Sequence, residues 1–205
     1  MISSPERSLE RDAALAAMLP NVPFDGWTFR ALCTGLASIG VPPDDARLLF
    51  PGGAADLIEA FCDWADRRME AGAGALVTPE MRLPARVRTV IALRLAQNRP
   101  YREAVRRAVS VLALPWHARL AARCLTRTVE AIWHVAGDES ADFSWYTKRA
   151  ILTAIYSSTL LYWLRDAGED DSATLAFLDR RLADHARLHG LVERMQGMVG
   201  RLRPA

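Results

Sequence analysis

No proline lies between Pro115 and Pro204, whereas eight of the eleven prolines fall between residues 20 and 100. Because proline interrupts helices, this distribution permits long helices in the second half and predicts several short ones in the first. β-Branched residues are scattered, while alanine, leucine and arginine, which favour helix, dominate the sequence. The pattern predicts an all-α chain, and 205 residues suit one domain with a substantial core.

The apolar segment from Ala150 to Leu164 contains only 15 residues and includes two serines and two threonines. A membrane-spanning helix needs roughly 20 apolar residues, so we predict a core helix here. The N-terminal residues are polar and charged, unlike a signal peptide. Cys33, Cys62 and Cys124 are too few and too widely spaced for a disulfide framework. We therefore expect buried thiols and a cytoplasmic location.

Helix boundaries can be read from the positions of proline, glycine and capping residues. A first helix is predicted over residues 5–19, with Ser4 as its cap and Pro5 at its first position. The next helix is predicted over about 28–39, capped by Thr28 or another neighbour of Trp27 and stopped by Gly40, and a last helix begins near Asp171 with Ser172 as its cap. Between them we predict these helices: Pro43–Phe50, 54–71, Glu80–Gln97, Tyr101–Leu112 and Pro115–Val135.

Residues 132–166 combine the end of one helix, an acidic loop and a second long helix. Gly137 predicts the end of the first helix, and Ser140 or Asp142 predicts the N-cap of the second. The part from 132 to 156 forms a dense motif of aromatic and polar residues. Its members are Trp133-His134, Ala136-Gly137-Asp138, Asp142-Phe143, Trp145-Tyr146-Thr147, Arg149-Ala150 and Ala154-Ile155-Tyr156.

This motif closely resembles the coenzyme Q biosynthesis accessory proteins of the Coq-nine family. The resemblance is weaker at Phe177-Leu178 and Arg181, and looser over the N-terminal 70 residues. It implies the helical fold of tetracycline-repressor-type regulators. It also implies a non-catalytic protein that binds an isoprenoid quinone precursor or a phospholipid, needs no other cofactor, and presents the precursor to the di-iron hydroxylase that acts on demethoxyubiquinone.

The resemblance divides the single domain into three parts: residues 1–53 as a degenerate helix-turn-helix head, 54–189 as a ligand-binding and dimerisation bundle, and 190–205 as an amphipathic segment. By analogy with the fold, a homodimer is expected through residues 147–166 and 174–189.

The helix order of the first half is also that of a repressor head, so a ligand-responsive DNA-binding regulator is the alternative function. The segment Pro43–Phe50, which would read DNA, contains Asp44 and Asp45 and a single base, Arg47. Contacts to phosphates and bases need Arg, Lys, Asn or Gln. No nucleic-acid partner is therefore expected.

Two sets of residues are candidates for binding. Large aromatics beside a polar loop are typical of binding hot spots, and the resemblance implies that this patch contacts the hydroxylase. The predicted partner-binding residues are Ile132, Trp133, Asp142, Trp145 and Tyr146, although Trp133 could equally belong to the core.

The predicted lipid-binding residues lie on the helices at 115–135 and 150–164, where small residues such as Ala122 and Ala154 could leave room for an apolar ligand. They are Trp116, Leu120, Leu125, Ile151, Ile155 and Tyr156. Ordinary core packing is the alternative interpretation of this set.

No catalytic constellation is evident. The Glu-x-x-His pattern of di-iron sites is absent, since Glu130 lies four residues before His134. His185 and His189 could share a metal with Asp184, but such a pair more often lies on the surface, and we expect no metal site and no enzyme activity.

Residues 188–202 form one apolar stripe at helical spacing, flanked mainly by arginines. A basic amphipathic helix is typical of contact with an anionic membrane. Weak contact with the inner face of the cytoplasmic membrane is predicted for Leu191, Met195, Met198 and Leu202, and packing on the domain is the alternative.

Overall fold

The structure is a computed structural model, and it describes residues 6–137, 144–168 and 170–185. All regular structure in these residues is helical, without a β-strand, which confirms the all-α prediction. A tenth helix, α10, covers residues 172–185. The preceding helices are α1 (Leu9–Met18), α2 (Val22–Asp25), α3 (Phe29–Ser38), α4 (Ala46–Leu49), α5 (Gly53–Ala73), α6 (Leu83–Asn98), α7 (Arg102–Leu112), α8 (Ala118–Ala136) and α9 (Ser144–Arg165).

The first helix begins at Leu9 and not at residue 5 as predicted. Ser8 is extended, and its Oγ accepts a hydrogen bond from the Arg11 amide at 3.1 Å, so Ser8 is the N-cap. Arg7 precedes the helix and forms an ion pair with Asp63 on α5, at 2.7 Å. Ser4 lies outside the described residues.

The predicted helix over Pro43–Phe50 is divided. Pro43–Asp45 form a 3₁₀ turn, and α4 follows with only four residues. The division arises where the Ala46 amide bonds to the Pro43 carbonyl, which is the i to i+3 pattern of a 3₁₀ turn. The segment that corresponds to a reading helix is therefore very short.

α1 packs closely across α3 at Gly35. A Cβ atom at this position would lie 2.7 Å from the Met18 Cα, so no side chain fits without moving the backbone. Leu15, Leu32 and Leu36 are buried around this crossing and form the centre of the head. Gly35 thus sets the distance between the two helices.

In the bundle, α5 packs against both α6 and α8. α6 begins at Leu83 rather than at residue 80, because Pro84 favours the first turn, where its missing N–H is not needed. Gly137 ends α8 in the left-handed conformation, as predicted, with φ +74°. The two residues predicted as N-cap of α9, Ser140 and Asp142, lie outside the described residues.

The turn between α9 and α10 is held by side-chain hydrogen bonds. Trp163 donates its indole N–H to Asp171 Oδ1 at 3.0 Å, and Thr174 donates to Asp166 Oδ2 at 2.7 Å. Asp171 occupies the cap position of α10, since the Leu175 amide bonds to its carbonyl. Ser172, predicted as the cap, is instead the first helical residue, and its hydroxyl lies 2.6 Å from the Asp170 carboxylate.

Among the described helices, none is long and apolar enough to cross a membrane. α9 is the core helix that its sequence predicted, with Leu152, Ile155 and Trp163 buried.

Candidate functional site

An apolar cavity of about 240 Å³ lies between α6, α8, α9 and α10. Val87, Leu152 and Ile155 form its buried floor. A dry cavity of roughly 150 Å³ can hold benzene, so this one can hold a substituted ring or part of an apolar chain. The remaining lining residues are Leu83, Pro84, Trp133, Thr147, Lys148, Ile151, Leu182 and His185.

Only two of the predicted lipid-binding residues, Ile151 and Ile155, line this cavity. Trp116 is 73% exposed at the other end of α8, and Leu120 is buried away from the cavity. Leu125 is partly buried against the core. The four residues that do not line the cavity are Trp116, Leu120, Leu125 and Tyr156.

The small residues expected to leave room between α8 and α9, namely Ala121, Ala122, Ala131 and Ala154, do not line this cavity. Ala122 and Ala154 are exposed, Ala121 is half-buried and Ala131 is buried. The space is formed instead because α6 and α10 supply part of the wall, through Val87 and Leu182 among others. These two residues were missed, since no sequence motif marks them and their nearness to α9 depends on tertiary packing.

Tyr156 has a different role from the predicted one. It is buried, and its hydroxyl lies 3.4 Å from the Arg94 Nε, which donates to it. Arg94 also forms a buried ion pair with Asp66 at 2.9 Å, and Thr128 donates to the same carboxylate at 3.2 Å. This cluster joins α5, α6, α8 and α9, so Tyr156 stabilises the bundle.

Burial dominates the electrostatics of this cluster. It raises the pKa of Asp66 despite the neighbouring Arg94 and Thr128, and it raises the pKa of Tyr156 in the same way. Burial alone would lower the pKa of Arg94, but the charge of Asp66, together with the smaller effects of Tyr156 and Cys62, outweighs it and the pKa is raised. The guanidinium therefore remains charged in the interior, held by its acidic partner.

The predicted partner surface is divided between the interior and the exterior. Tyr146 is 74% exposed on the first turn of α9, as expected for a docking residue. Ile132 is fully buried and Trp133 nearly so, because they lie on the face of α8 that packs into the bundle. These two residues therefore do not form part of a surface. Asp142 lies outside the described residues, as does the side chain of Trp145.

The three cysteines are free thiols. Although they are far apart in the sequence, Cys62 on α5 and Cys124 on α8 are neighbours. Their mutual hydrogen bond raises the pKa of Cys62 and lowers that of Cys124. The described residues contain no group of three or more His, Cys, Asp and Glu side chains that could hold a metal ion. His189, the second member of the candidate histidine pair, lies outside them.

Around α4, the surface of the head combines an apolar residue, an acid and a base. Leu48 is 80% exposed on α4, and Asp44 is exposed in the preceding turn. The guanidinium of Arg47 lies over the Phe29 ring, 5.4 Å from its centroid. The predicted membrane-contact residues of the C-terminal segment lie outside the described residues. They are Leu191, Met195, Met198 and Leu202.

Comparison with known proteins gives a family match to COQ9 over residues 118–189, the stretch that begins with α8 and continues through α10. The "Ubiquinone biosynthesis protein COQ9, mitochondrial" of Rattus norvegicus is 36% identical over 177 residues, covering 83% of this chain and 56% of that protein. The protein of the same name from Homo sapiens is 36% identical, covering 83% and 55%. That of Drosophila melanogaster is 30% identical, covering 92% and 59%.

The chain therefore spans a little over half the length of the curated relatives that it matches. Among solved structures, a TetR transcriptional regulator from Nitrosomonas europaea superimposes with a TM-score of 0.70 and 24% identity, covering 87% of this chain and 99% of that one. This likeness confirms the predicted tetracycline-repressor-like fold, and it is evidence for the fold alone.

Proposed function

Because the predicted relationship to the COQ9 family is confirmed, we propose that this chain is a non-catalytic accessory protein of ubiquinone biosynthesis. In this proposal it binds an isoprenoid quinone precursor and presents it to a demethoxyubiquinone hydroxylase. The relatives are named as ubiquinone biosynthesis proteins, which supports the assignment of this chain to that pathway. The observation that carries the finer proposal is the apolar cavity, because three of its four helices lie within the family match.

The composition of the cavity suits an isoprenoid. Its floor and most of its walls are aliphatic, so burial of an apolar chain there is favourable by about 25 cal/mol per Å² of apolar surface. Its volume of about 240 Å³ is below the usual range for a pocket that encloses a drug-sized molecule. The cavity would therefore hold one part of a long ligand, and the remainder would extend beyond it.

The proposed partner surface lies next to this cavity. Tyr146 is exposed immediately before Thr147, which lines the mouth. A hydroxylase that docks on Tyr146 and Trp145 would thus meet the bound ligand directly. This arrangement supports the presentation of a substrate to a partner, and it requires no catalytic group on this chain.

We also propose a homodimer through α9 and α10 and weak contact of residues 190–205 with the inner face of the cytoplasmic membrane. The dimer rests on analogy with the fold, and the membrane contact rests on the apolar stripe of the sequence. The alternative, a DNA-binding regulator, is disfavoured by the short α4 and by Asp44 in the preceding turn.

Mass spectrometry of an organic extract tests this proposal, with protein purified from a host that makes ubiquinone. We expect the wild-type protein to release an isoprenoid. Ile155→Trp should release little, because the indole fills the cavity. Leu161→Trp is the matched control, since Leu161 is half exposed on the same helix and does not line the cavity, and it should retain the lipid. A wild-type extract without any isoprenoid would contradict the proposal.

A further inference from the structure

We propose that the turn between α7 and α8, residues 113–117, is a contact surface for an anionic phospholipid membrane, with Trp116 in the interface and Arg119 beside the lipid phosphates. This turn is separate from the cavity and from residues 190–205, so it adds a second point of membrane contact to the proposed function. The membrane is inferred as the occupant from the exposed apolar side chains and from the charge beside them.

Large apolar side chains are exposed to solvent at this turn. Residues 113–116 are all exposed, with Leu114 at 38% and Trp116 at 73%. The Trp116 ring lies 6.3 Å from that of His117, the next residue in the chain, and it does not pack into the core. Tryptophan is enriched at membrane–water interfaces, because its ring is apolar while its indole N–H keeps a polar partner there. Trp116 is therefore placed as a residue that enters such an interface.

The charge beside the turn is positive. Arg119 and Arg123 follow Trp116 by three and seven residues, a spacing that places them on the same side of the helix, and both are exposed. Arg123 pairs with Glu59 on α5 at 3.0 Å, whereas no acidic side chain in the described ranges pairs with Arg119.

The sequence and the packing around the turn add no negative charge. The sequence has no aspartate or glutamate between Glu103 and Glu130. α7 packs on the turn, and its last four residues, 109–112, are uncharged. An anionic surface is therefore the complement of this turn.

A lipid surface fits this set of residues better than a macromolecule does. Binding to nucleic acid rests on many phosphate contacts, and a specific protein partner covers about 20–30 residues on each side. A membrane requires less, because an aromatic ring can enter the interface alone and each base near anionic lipids strengthens binding about fivefold. The turn supplies both of these elements within a few residues.

The position of the turn leaves the cavity accessible. Trp116 lies just before the first residue of α8, whereas Trp133, which lines the cavity, lies near the other end of the same helix. At a rise of about 1.5 Å per residue, the two are about 25 Å apart along the helix axis. The membrane would thus hold one end of α8 while Tyr146, beside the cavity mouth, stays free for the hydroxylase.

Cosedimentation of the whole 205-residue chain with vesicles of phosphatidylglycerol and phosphatidylcholine in equal parts tests this proposal. We expect Trp116→Ala to bind the vesicles about tenfold more weakly, because the apolar surface of the indole is lost. Arg119→Gln should bind about fivefold more weakly. Both side chains are exposed, so both variants should unfold at the wild-type temperature. Unchanged vesicle binding in Trp116→Ala would overturn the proposal.

Leu48→Ala is the matched control. Leu48 is 80% exposed on α4, and the preceding turn contains Asp44 and Asp45. A truncation there removes exposed apolar surface of a similar kind without a basic neighbour of the same face, and the variant should bind the vesicles as the wild type does. A loss equal to that of Trp116→Ala would show a general effect of surface hydrophobicity and would overturn the proposal.

A second measurement reports on the depth of the ring. Vesicles with brominated acyl chains should quench part of the tryptophan emission of the wild-type protein. Trp116→Leu keeps an apolar side chain and should still bind the vesicles, but that part of the quenching should be absent. Equal quenching in the two bound proteins would place the ring outside the interface and would overturn the proposal.

Other occupants give different results. Equal binding of the wild type to vesicles of phosphatidylcholine alone would remove the role of the arginine and overturn the proposal. If Trp116→Ala keeps its vesicle affinity but loses self-association in analytical ultracentrifugation, the turn contacts a second copy of the chain, which also overturns it. A wild type that binds no vesicles would contradict this contact and that of residues 190–205, whereas the organic extract tests the ligand function separately.

Discussion

The Nη1 atom of Arg94 lies 2.9 Å from Oδ1 of Asp66 in the interior, so one ion pair joins α6 to α5. We predict that Arg94→Met lowers the free energy of unfolding by about 3–5 kcal/mol, because it leaves a buried carboxylate without its partner. The double variant Asp66→Leu with Arg94→Met should be more stable than Arg94→Met alone, since neither charge remains. Urea unfolding measures both, and equal stability of the single and double variants would contradict the prediction.

A second prediction concerns pH and Asp63. Burial tends to raise the pKa of this carboxyl, but hydrogen bonds from Arg7 at 2.7 Å and Arg67 at 3.0 Å outweigh it, and the pKa is lowered. Because the folded pKa is below the unfolded one, the ion pairs stabilise the fold above the ordinary value of 3.8, and this contribution is lost as the pH falls through the lowered value.

Asp63→Asn should therefore cost about 2 kcal/mol at neutral pH, a figure reduced for the solvent exposure of Arg7. The difference from the wild type should shrink as the pH falls below 3.8. Unfolding curves at a series of pH values measure this difference. A cost that is the same at pH values well above and well below 3.8 would show that Asp63 acts through packing alone.

The close approach of α1 and α3 can be tested by replacing Gly35 with alanine, and the same substitution at Gly74, where a Cβ has room, is the matched control. Gly35→Ala should destabilise the protein by about 2 kcal/mol, because the new Cβ would lie 2.7 Å from the Met18 backbone. Gly74→Ala should stabilise it by about 0.5 kcal/mol, since no atom lies within 4 Å of that Cβ and φ is −59°. Thermal unfolding tests both, and a neutral Gly35→Ala would contradict the crossing described above.

The partner surface can be tested with two aromatics of equal exposure. Tyr146 is 74% exposed and Trp116 is 73% exposed, but only Tyr146 lies beside the cavity mouth. We predict that Tyr146→Ala weakens binding to the hydroxylase by about thirtyfold, which corresponds to about 2 kcal/mol. Trp116→Ala should leave it unchanged. Calorimetric titration gives both values, and similar losses in the two variants would argue against a local docking site.

Local sequence signals predicted the helices well where one residue decides the boundary. Gly137 ends α8, and Thr28 caps α3 by accepting from the Ala31 amide. The predicted start of α1 was wrong, because two serines are acceptable N-caps by their local sequence: Ser8, and Ser4 with Pro5 after it. In the structure Ser8 is the N-cap, and Arg7, the residue before it, forms an ion pair with Asp63, which lies far along the chain.

The candidate site was less predictable, because a cavity depends on which helices meet. Ile151 and Ile155 could be found, since they lie one turn apart on the apolar face of α9. Val87 and Leu182 could not, because their proximity to α9 follows from the packing of α6 and α10. Tyr156 was misassigned for a related reason: the arginine that binds its hydroxyl lies 62 residues earlier in the chain.

The contacts that hold α10 in place determine how quickly a ligand can enter and leave the cavity. The base of α10 is held by the bond from Trp163 to Asp171, whereas its later contact with α6 is the ion pair between Arg88 and Asp179, which is 39% and 49% exposed. Salt screens an exposed pair but has little effect on the bonds at the base. Higher ionic strength should therefore change ligand exchange past Leu182 little, because Leu178 is fully buried one residue before Asp179 and holds α10 on the core when the ion pair is screened.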